Sequence, residues 1–394
     1  MCAIWAAVLG MTIFGTRLTR RHFKQPPPHL DAPFGLYPIS ILKPLKGVDH
    51  ALEENLETFF HLDYPVFEIL FTIADPLDPA RAVVERLLRK FPRVRARLIM
   101  GDEKIGMNPK VNNMARSYRA AAHDWIWITD SNVRVRPDAL KRMVAHIEPG
   151  VGVLTSVVGG CDPRGFFGHL EAVFLNTYYA RWMVVSDRVF GRPCVMGKSM
   201  MFQKRNAERF GGLRSLGRFL AEDYMTGEAM RRLGLRIVTV TDPISQPIGR
   251  YALGAFWARH VRWGRIRKAQ VPLAILAEPL LGSVLSGILG AIGANWLWQV
   301  PMDQFLAAHL LIWGALDIWQ MRAMGMRWSR WMPLAWFFRE LIAIPLWLDT
   351  ICGDTILWRG RRMRLLPGGI LEGASHPALD GGAPSSPALA KETV

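Results

Sequence analysis

Cysteine is scarce: the 394 residues hold four, Cys2, Cys161, Cys194 and Cys352, scattered without metal-ligand spacing. That argues against a disulfide framework and a cysteine-zinc site, and suits a reducing cytosol. Acidic residues are also few, 33 Asp and Glu against 49 Lys and Arg, for a formal net charge of +16. Such an excess could serve nucleic acid, but neither zinc-finger spacing nor an RNA-binding aromatic motif occurs. The basic residues instead crowd beside apolar segments: Arg17, Arg20, Arg21 and Lys24 after the first, Arg259 to Lys268 before the second, Arg359 to Arg364 after the last. Charge placed there favours a cytoplasmic membrane face and anionic headgroups. Long uncharged runs are missing from residues 39 to 250, and no internal repeat is visible.

Half of the chain is nonetheless hydrophobic, with 15 Trp, and the apolar excess sits at the two ends. Met1 to Gly15 is apolar and runs into Thr16-Arg17-Leu18-Thr19-Arg20-Arg21, without the leading basic stretch or small-residue cleavage site of a signal peptide. Residues 1–18 are therefore expected to anchor the chain, basic end in the cytosol, and Pro26 to Pro28 to form a stiff linker into a soluble domain over 36–250. Residues 251–270 hold no acidic residue, and their Arg, Lys and Trp suit a helix lying in the membrane interface; a solvated basic helix is the alternative. Three apolar segments follow within 271–352, at 273–300, 305–321 and 333–351. If all three crossed, the basic clusters 322–330 and 359–364 would lie on opposite sides. The third segment also carries Arg339 and Glu340, costly in hydrocarbon unless paired, so 333–351 is expected to be re-entrant or interfacial. The tail 366–394, rich in Gly, Ala, Pro and Ser, is expected to be disordered. The pattern as a whole is that of an integral membrane protein with its soluble domain on the cytoplasmic face, as at a bacterial inner membrane.

Between the ends, short apolar runs alternate with amphipathic stretches. Strands are expected at Ile39–Leu42, Phe67–Ile73, Val94–Met100, Trp125–Thr129, Val151–Ser156 and Val195–Phe202. Helices are expected at Pro79–Phe91, Lys110–Ala121, Ala139–Ile147, Gly165–Val185 and Phe219–Leu233. Such alternation calls for an α/β, doubly wound parallel sheet. In such a sheet ligands gather beyond the carboxyl ends of the strands, where Asp130 follows Trp125–Thr129. An Asp that opens a turn or caps the helix near Pro137 fits the local sequence equally well.

Asp75 and Asp78 follow another strand, Glu222 and Asp223 start a helix, and Arg259-His260-Val261-Arg262-Trp263 comes last. Singly, each has a structural explanation as turn, cap or solvated face. Jointly, they supply what a nucleotide-sugar transferase needs: a carboxylate near the nucleoside, another for a hard cation on the diphosphate, a base for the acceptor hydroxyl, and cations for the leaving group. A non-catalytic protein that binds anionic lipid through its basic clusters has no use for that carboxylate series.

The motifs resemble those of the ceramide glucosyltransferases. They are Lys43-Pro44-Leu45-Lys46-Gly47-Val48-Asp49, Asn55-Leu56-Glu57-Thr58-Phe59-Phe60, Leu62-Asp63-Tyr64-Pro65, Asn108-Pro109-Lys110-Val111-Asn112-Asn113, Asp130-Ser131, Ala221-Glu222-Asp223-Tyr224 and Arg259 to Trp263, with a weaker likeness from Trp358 to Arg364. The resemblance implies a GT-A nucleotide-diphospho-sugar transferase fold with N-terminal and C-terminal membrane segments. It implies an inverting transfer of glucose from UDP-glucose to the primary hydroxyl of ceramide. Carried over, it makes Asp78 the nucleotide-side aspartate, Asp130 the ligand of a Mg²⁺ or Mn²⁺ on the diphosphate, and Asp223 the general base. Lys110, Arg259, Arg262 and Trp263 would complete the nucleotide-sugar site. The chain departs from the common GT-A pattern in having Asp130-Ser131-Asn132 in place of Asp-x-Asp, and it has Tyr178 and Tyr179 where animal members carry a histidine. The nearest alternatives are a hopanoid lipid glycosylated from UDP-N-acetylglucosamine and ceramide glycosylated from UDP-glucuronate.

Overall fold

The computed structural model describes residues 1–28, 37–358 and 361–372. Its centre is a seven-stranded sheet in the order β3-β2-β1-β4-β7-β5-β8. The strands are β1 (Ile39–Leu45), β2 (Phe67–Ile73), β3 (Ala96–Met100), β4 (Trp125–Thr129), β5 (Val151–Thr155), β7 (Ser199–Gln203) and β8 (Arg236–Thr239). A separate parallel pair is formed by β6 (Val158–Arg164) and β9 (Ile244–Arg250). Helices α2 (Leu52–Phe60), α3 (Ala80–Lys90), α4 (Pro109–Ala120) and α5 (Ala139–Val144) connect the early strands.

Both faces of the sheet are covered, and the strand period of two explains how. Ile39, Ile41, Trp125 and Trp127 point into one core with Leu56 and Phe59 of α2 and Val84 of α3. Leu42, Ile126 and Ile128 point to the opposite core with Val111 and Met114 of α4. Trp127 is 1% exposed, and burying such a ring contributes about 2–3 kcal/mol.

The sheet is parallel over β3-β2-β1-β4 and again over β5-β8, as expected, and one strand departs from that: β7 runs antiparallel to both β4 and β5. The reason is the connection. The chain leaves β5, makes β6, then one long helical stretch of α6 (Gly165–Phe174), a π-helical turn (Leu175–Tyr179) and α7 (Ala180–Arg188). It re-enters the sheet from the end where β4 stops, so Ser199 lies opposite Thr129. Trp127 Nε1 donates to Ser199 Oγ at 3.0 Å and ties the two strands together. The direction of β7 brings the residue before it, Lys198, to the residue after β4, Asp130.

Two short helices, α8 (Lys204–Glu208) and α9 (Gly212–Leu216), lead to α10 (Glu222–Arg232). After β9 come α11 (Leu253–Gln270), α12 (Pro272–Ala277), a 3-10 turn (Glu278–Leu281), α13 (Ser283–Trp298), α14 (Met302–Ala323) and α15 (Met332–Cys352). The expected apolar segment 273–300 is thus not one helix: the backbone is extended at Gly282, where Pro272–Leu281 and Ser283–Trp298 meet at a 59° bend. At the other end, α1 (Cys2–Lys24) is long and apolar enough to cross a membrane by length and composition. The bent pair passes the same test only when taken as one unit. α1 rests on α7, α13 and α14. His22 near its end meets Val240 O at 3.1 Å and Arg188 Nη2 at 3.1 Å, fixing α1 to the sheet domain.

The basic side chains of α11 are taken up within the chain. Arg265 reaches Asp349 at 2.8 Å, Arg267 reaches Glu278 at 2.7 Å, and Lys268 donates to Ile351 O and Gly353 O. In α15, Arg339 and Glu340 are buried and paired with each other. A last small sheet comprises β10 (Thr355–Trp358), β11 (Arg361–Leu366) and β12 (Ile370–Leu371). Residues 367–371, expected to be disordered, are therefore ordered; Leu220 N donates to Gly369 O at 3.2 Å and Leu371 N to Arg218 O at 3.0 Å. The rest of the expected tail, from 373 on, lies outside the described residues, as do residues 29–36 and 359–360.

Candidate active site

The order β3-β2-β1-β4 reverses direction at β1, and the crevice beyond the carboxyl ends of β1 and β4 opens into a cavity of about 1580 Å³. All seven residues expected at the site, Asp78, Lys110, Asp130, Asp223, Arg259, Arg262 and Trp263, line this one cavity.

Asp78 precedes α3 and accepts from Ala80 N at 2.9 Å, as a helix-start carboxylate should. Both its oxygens also accept from Gly47 N, at 3.0 and 2.9 Å. Gly47 reaches this position with φ +70°, a conformation that favours glycine. Asp78 therefore shapes the loop after β1 as well as facing the cavity.

Asp130 is surrounded by lysines. Lys110 Nζ lies 3.0 Å from one carboxylate oxygen, Lys198 Nζ 3.6 Å from the other, and Lys43 Nζ donates to the Asp130 carbonyl at 2.7 Å. Burial by itself would raise the Asp130 carboxyl, but Lys110, Lys198 and Lys43 more than offset it and hold it well below the usual carboxylate range. Lys198, which also donates to Asn132 Oδ1 at 2.6 Å, is pushed down to about 8, mainly by burial.

Lys110 is the hinge of the site. It stands in the first turn of α4, capped by Asn108, whose Oδ1 accepts from Lys110 N at 2.9 Å. Asn108 Nδ2 donates to Glu222 Oε2 at 3.1 Å and to Phe219 O at 2.9 Å, so the cap also fixes the approach to α10. Lys110 Nζ then bridges Asp130 to Glu222, 2.9 Å away.

Asp223, beside Glu222, accepts from Gly197 N at 2.6 Å and Tyr224 N at 2.8 Å. Burial first, and Glu222 second, push its carboxyl up to about 6 against the pull of Lys110. A Cβ at Gly197 would sit 2.8 Å from Lys110 Nζ and 3.0 Å from Asp223 Oδ2, so the close approach of these groups requires a glycine there.

On α11, Arg259 pairs with Glu171 of α6 at 3.0 Å and lies 4.4 Å over the Trp263 ring. His260 meets the other Glu171 oxygen at 2.8 Å. Glu171 has no exposed surface; Arg259 and His260 overcome the effect of its burial and bring it down to about 2. It holds Arg259 while Arg262 and Trp263 face the cavity, and Tyr179 stacks on Trp263 at 6.0 Å. Beyond these polar groups the cavity continues between Met11, Trp182, Phe190, Val271, Ala274 and Leu281, an apolar end formed by α1, α7 and α12.

Among the described residues no three His, Cys, Asp or Glu side chains converge as a metal cage. Asp130 is the carboxylate at the strand end, and Lys110 and Lys198 stand at its two oxygens, so a hard cation there would have to take the place of an ammonium. Lys198 and Glu171 were not picked out by sequence, and Lys43 stood in a motif without a role at the site. The one available signal was Lys43 inside an apolar strand, since a fully buried lysine needs a partner.

The geometry can be set beside known proteins. A family model described as glycosyl transferase family 21 matches residues 2–371. Ceramide glucosyltransferase 1 of Caenorhabditis elegans is 32% identical over 337 residues, 84% of this chain and 72% of that protein. Ceramide glucosyltransferase of Komagataella phaffii is 29% identical, covering 83% of this chain and 82% of that one. Among solved structures, a mannosyltransferase from Pyrobaculum calidifontis in complex with GDP-Man and Mn2+ superposes with a TM-score of 0.50 at 18% identity, over 89% of this chain and 97% of that one. The likeness identifies the fold as GT-A.

Proposed function

Since this chain belongs to glycosyl transferase family 21, we propose that it moves glucose from UDP-glucose to the primary hydroxyl of ceramide by one inverting displacement, giving β-glucosylceramide. The observation that carries this reading is the joining of Asp130 and Asp223, through Lys110 and Gly197, in one cavity that continues into an apolar end.

The nucleoside lies on the Asp78 side and the diphosphate beyond β4. Lys198, Arg259 and Arg262 face the leaving group, and a guanidinium fork suits phosphate oxygens. The acceptor hydroxyl is too weakly acidic to attack unaided, so Asp223 takes its proton as the new bond to the anomeric carbon forms and the bond to UDP breaks. A carboxyl near pH 6 is mostly ionised at neutral pH and ready for that role. A Mg²⁺ or Mn²⁺ on Asp130, when bound, would help to neutralise the charge developing on the diphosphate.

Labelled donors offered to membranes with defined acceptors test the reading: UDP-glucose with ceramide should give the β-glucoside. Label transferred only from UDP-N-acetylglucosamine to a hopanoid lipid, or only from UDP-glucuronate to ceramide, would replace it. In the same assay EDTA should abolish transfer and Asp130→Ala should match it. Full activity in EDTA would leave the lysines and arginines as the sole stabilisers of the leaving group.

We also propose that α1 and segments within 271–352 hold the enzyme in the bilayer, with α15 re-entrant or interfacial and anionic lipids against the basic clusters. The sheet domain then faces the cytoplasm. Cysteines introduced at positions 362 and 364 should be labelled only from the cytosolic side, and labelling from the opposite side would defeat this topology.

A further inference from the structure

The wall of the cavity near its apolar end is the helical stretch α6–α7, and its middle is not α-helical. Over Leu175–Tyr179 the turn is widened to a π-helix, with Ala180 N bonding Leu175 O five residues back. Such turns occur where an inserted residue re-aims its neighbours, often at functional sites. Here Tyr178, Tyr179 and Trp182 face the cavity, and Trp182 Nε1 is buried without a hydrogen-bond partner among the described residues.

A widened turn leaves carbonyls poorly served by the helix itself. Two of them, Asn176 O and Thr177 O, accept from a single side-chain nitrogen, Gln320 Nε2 of α14, at 2.9 and 2.7 Å. The other end of that amide, Oε1, accepts from Arg181 Nε at 3.2 Å. Gln320 has no exposed surface. Arg181 pairs with Asp317, which in turn accepts from Trp336 Nε1 at 2.7 Å. Arg339 of α15 donates to Thr177 Oγ1 at 3.1 Å. On the opposite side, Asn176 exchanges two hydrogen bonds with Gly160 of β6, at 3.1 and 2.8 Å. The turn is thus held between the sheet domain and the C-terminal helices, and both ends of the Gln320 amide are used. A glutamate would set a carboxylate against two carbonyls, and an apolar residue would take this donor from both, leaving Thr177 O with the bond from Ala180 N.

We propose that Gln320 is a positioning residue for acceptor recognition: by holding the π turn it sets Trp182 and the two tyrosines where a lipid headgroup with amide and hydroxyl groups must lie. The proposal rests on the lipid-acceptor reading above and specifies which wall reads the acceptor. Its link to the diphosphate end is the Tyr179 ring on Trp263, whereas Asp130, Lys110 and Lys198 are held together from other elements.

The test uses full-length protein in membranes or nanodiscs, with Gln320→Met, Trp182→Phe and the double variant. Each single variant should raise the acceptor KM about fivefold or more, while UDP binding by calorimetry stays within about twofold. If Gln320 acts through the turn, the double variant should be no worse than the poorer single one. Multiplying effects, or equal losses in UDP affinity and acceptor KM, would overturn it. Trp182→Phe leaves an aromatic ring in place and removes only the indole N–H and part of its area, so an unchanged acceptor KM in that variant overturns the proposal even if Gln320→Met does not fold. Should the unaltered protein use another lipid, the ceramide reading fails alone and the same ratio is read with that lipid.

Discussion

Asp223→Asn is expected to lower kcat on the order of 10³-fold with little change in UDP affinity, the loss that removal of a general base produces. The amide has the shape of the carboxylate and keeps one oxygen to accept from Gly197 N or Tyr224 N, so the site should stay assembled. What it lacks is the ability to take a proton. The pH profile of kcat/KM, which reports the free enzyme, makes the test specific. In the unaltered protein it should rise with unit slope to about pH 6, where Asp223 ionises, and fall above about pH 8, where Lys198 loses its charge. The variant should lose the rising limb and keep the falling one. Lys198→Arg should move the falling limb out of range, since a guanidinium stays charged. Turnover like that of the unaltered protein in Asp223→Asn would remove Asp223 from the mechanism.

Lys110→Met should cost both activity and stability. It leaves Asp130 and Glu222 facing each other across an apolar side chain, with Asp223 next to them. Breaking a buried pair by removing one partner is strongly destabilising; here about 2–3 kcal/mol is expected at pH 7, because the Asp130 side chain keeps 29% exposure. The sign with pH follows from Asp130. Its folded value is depressed, so the contribution of the pair is present above the unfolded value near 4 and is lost as pH falls. The gap in melting temperature between the two proteins should therefore narrow in acid. Lys110 also pulls Asp223 down, so the rising limb of the activity profile should shift to higher pH in the variant. An unchanged limb would mean that Lys110 and Asp223 do not share a field.

Much of this was legible in the chain, for reasons that differ from element to element. Trp125 to Thr129 reads as a buried strand because an uninterrupted apolar run of that length has few other uses, and Asp130 follows by position. Asp78, Lys110 and Asp223 belong to short motifs whose polar residues serve helix starts, so local sequence marks them. β6 and β9 gave no such mark: Gly159, Gly160 and Pro163 in one, Pro247 and Gly249 in the other, are poor strand formers, and the pair exists because each strand supports the other. The direction of β7 depends on the route of the chain through α6 and α7, which no periodicity encodes. Lys198 and Glu171 escaped for the same reason: their partners, Asp130 and Arg259, are 68 and 88 residues away, and only the folded sheet and α11 bring them near. The break at Gly282 was visible as a residue but not as a bend, because an apolar window averages over it.

The small C-terminal sheet has a consequence in time. Leu220 and Arg218, just ahead of Glu222 and Asp223, are tied by backbone bonds to Gly369 and Leu371. At synthesis rates of about 5–20 residues per second, Asp223 has been made for roughly 7–30 seconds before the strand that clamps its approach leaves the ribosome. Those seconds are when α13 and α14 are made. An incomplete chain would carry every side chain of the site and still lack the last fastener of its approach, so the site would be complete only after α13 to α15 have been made.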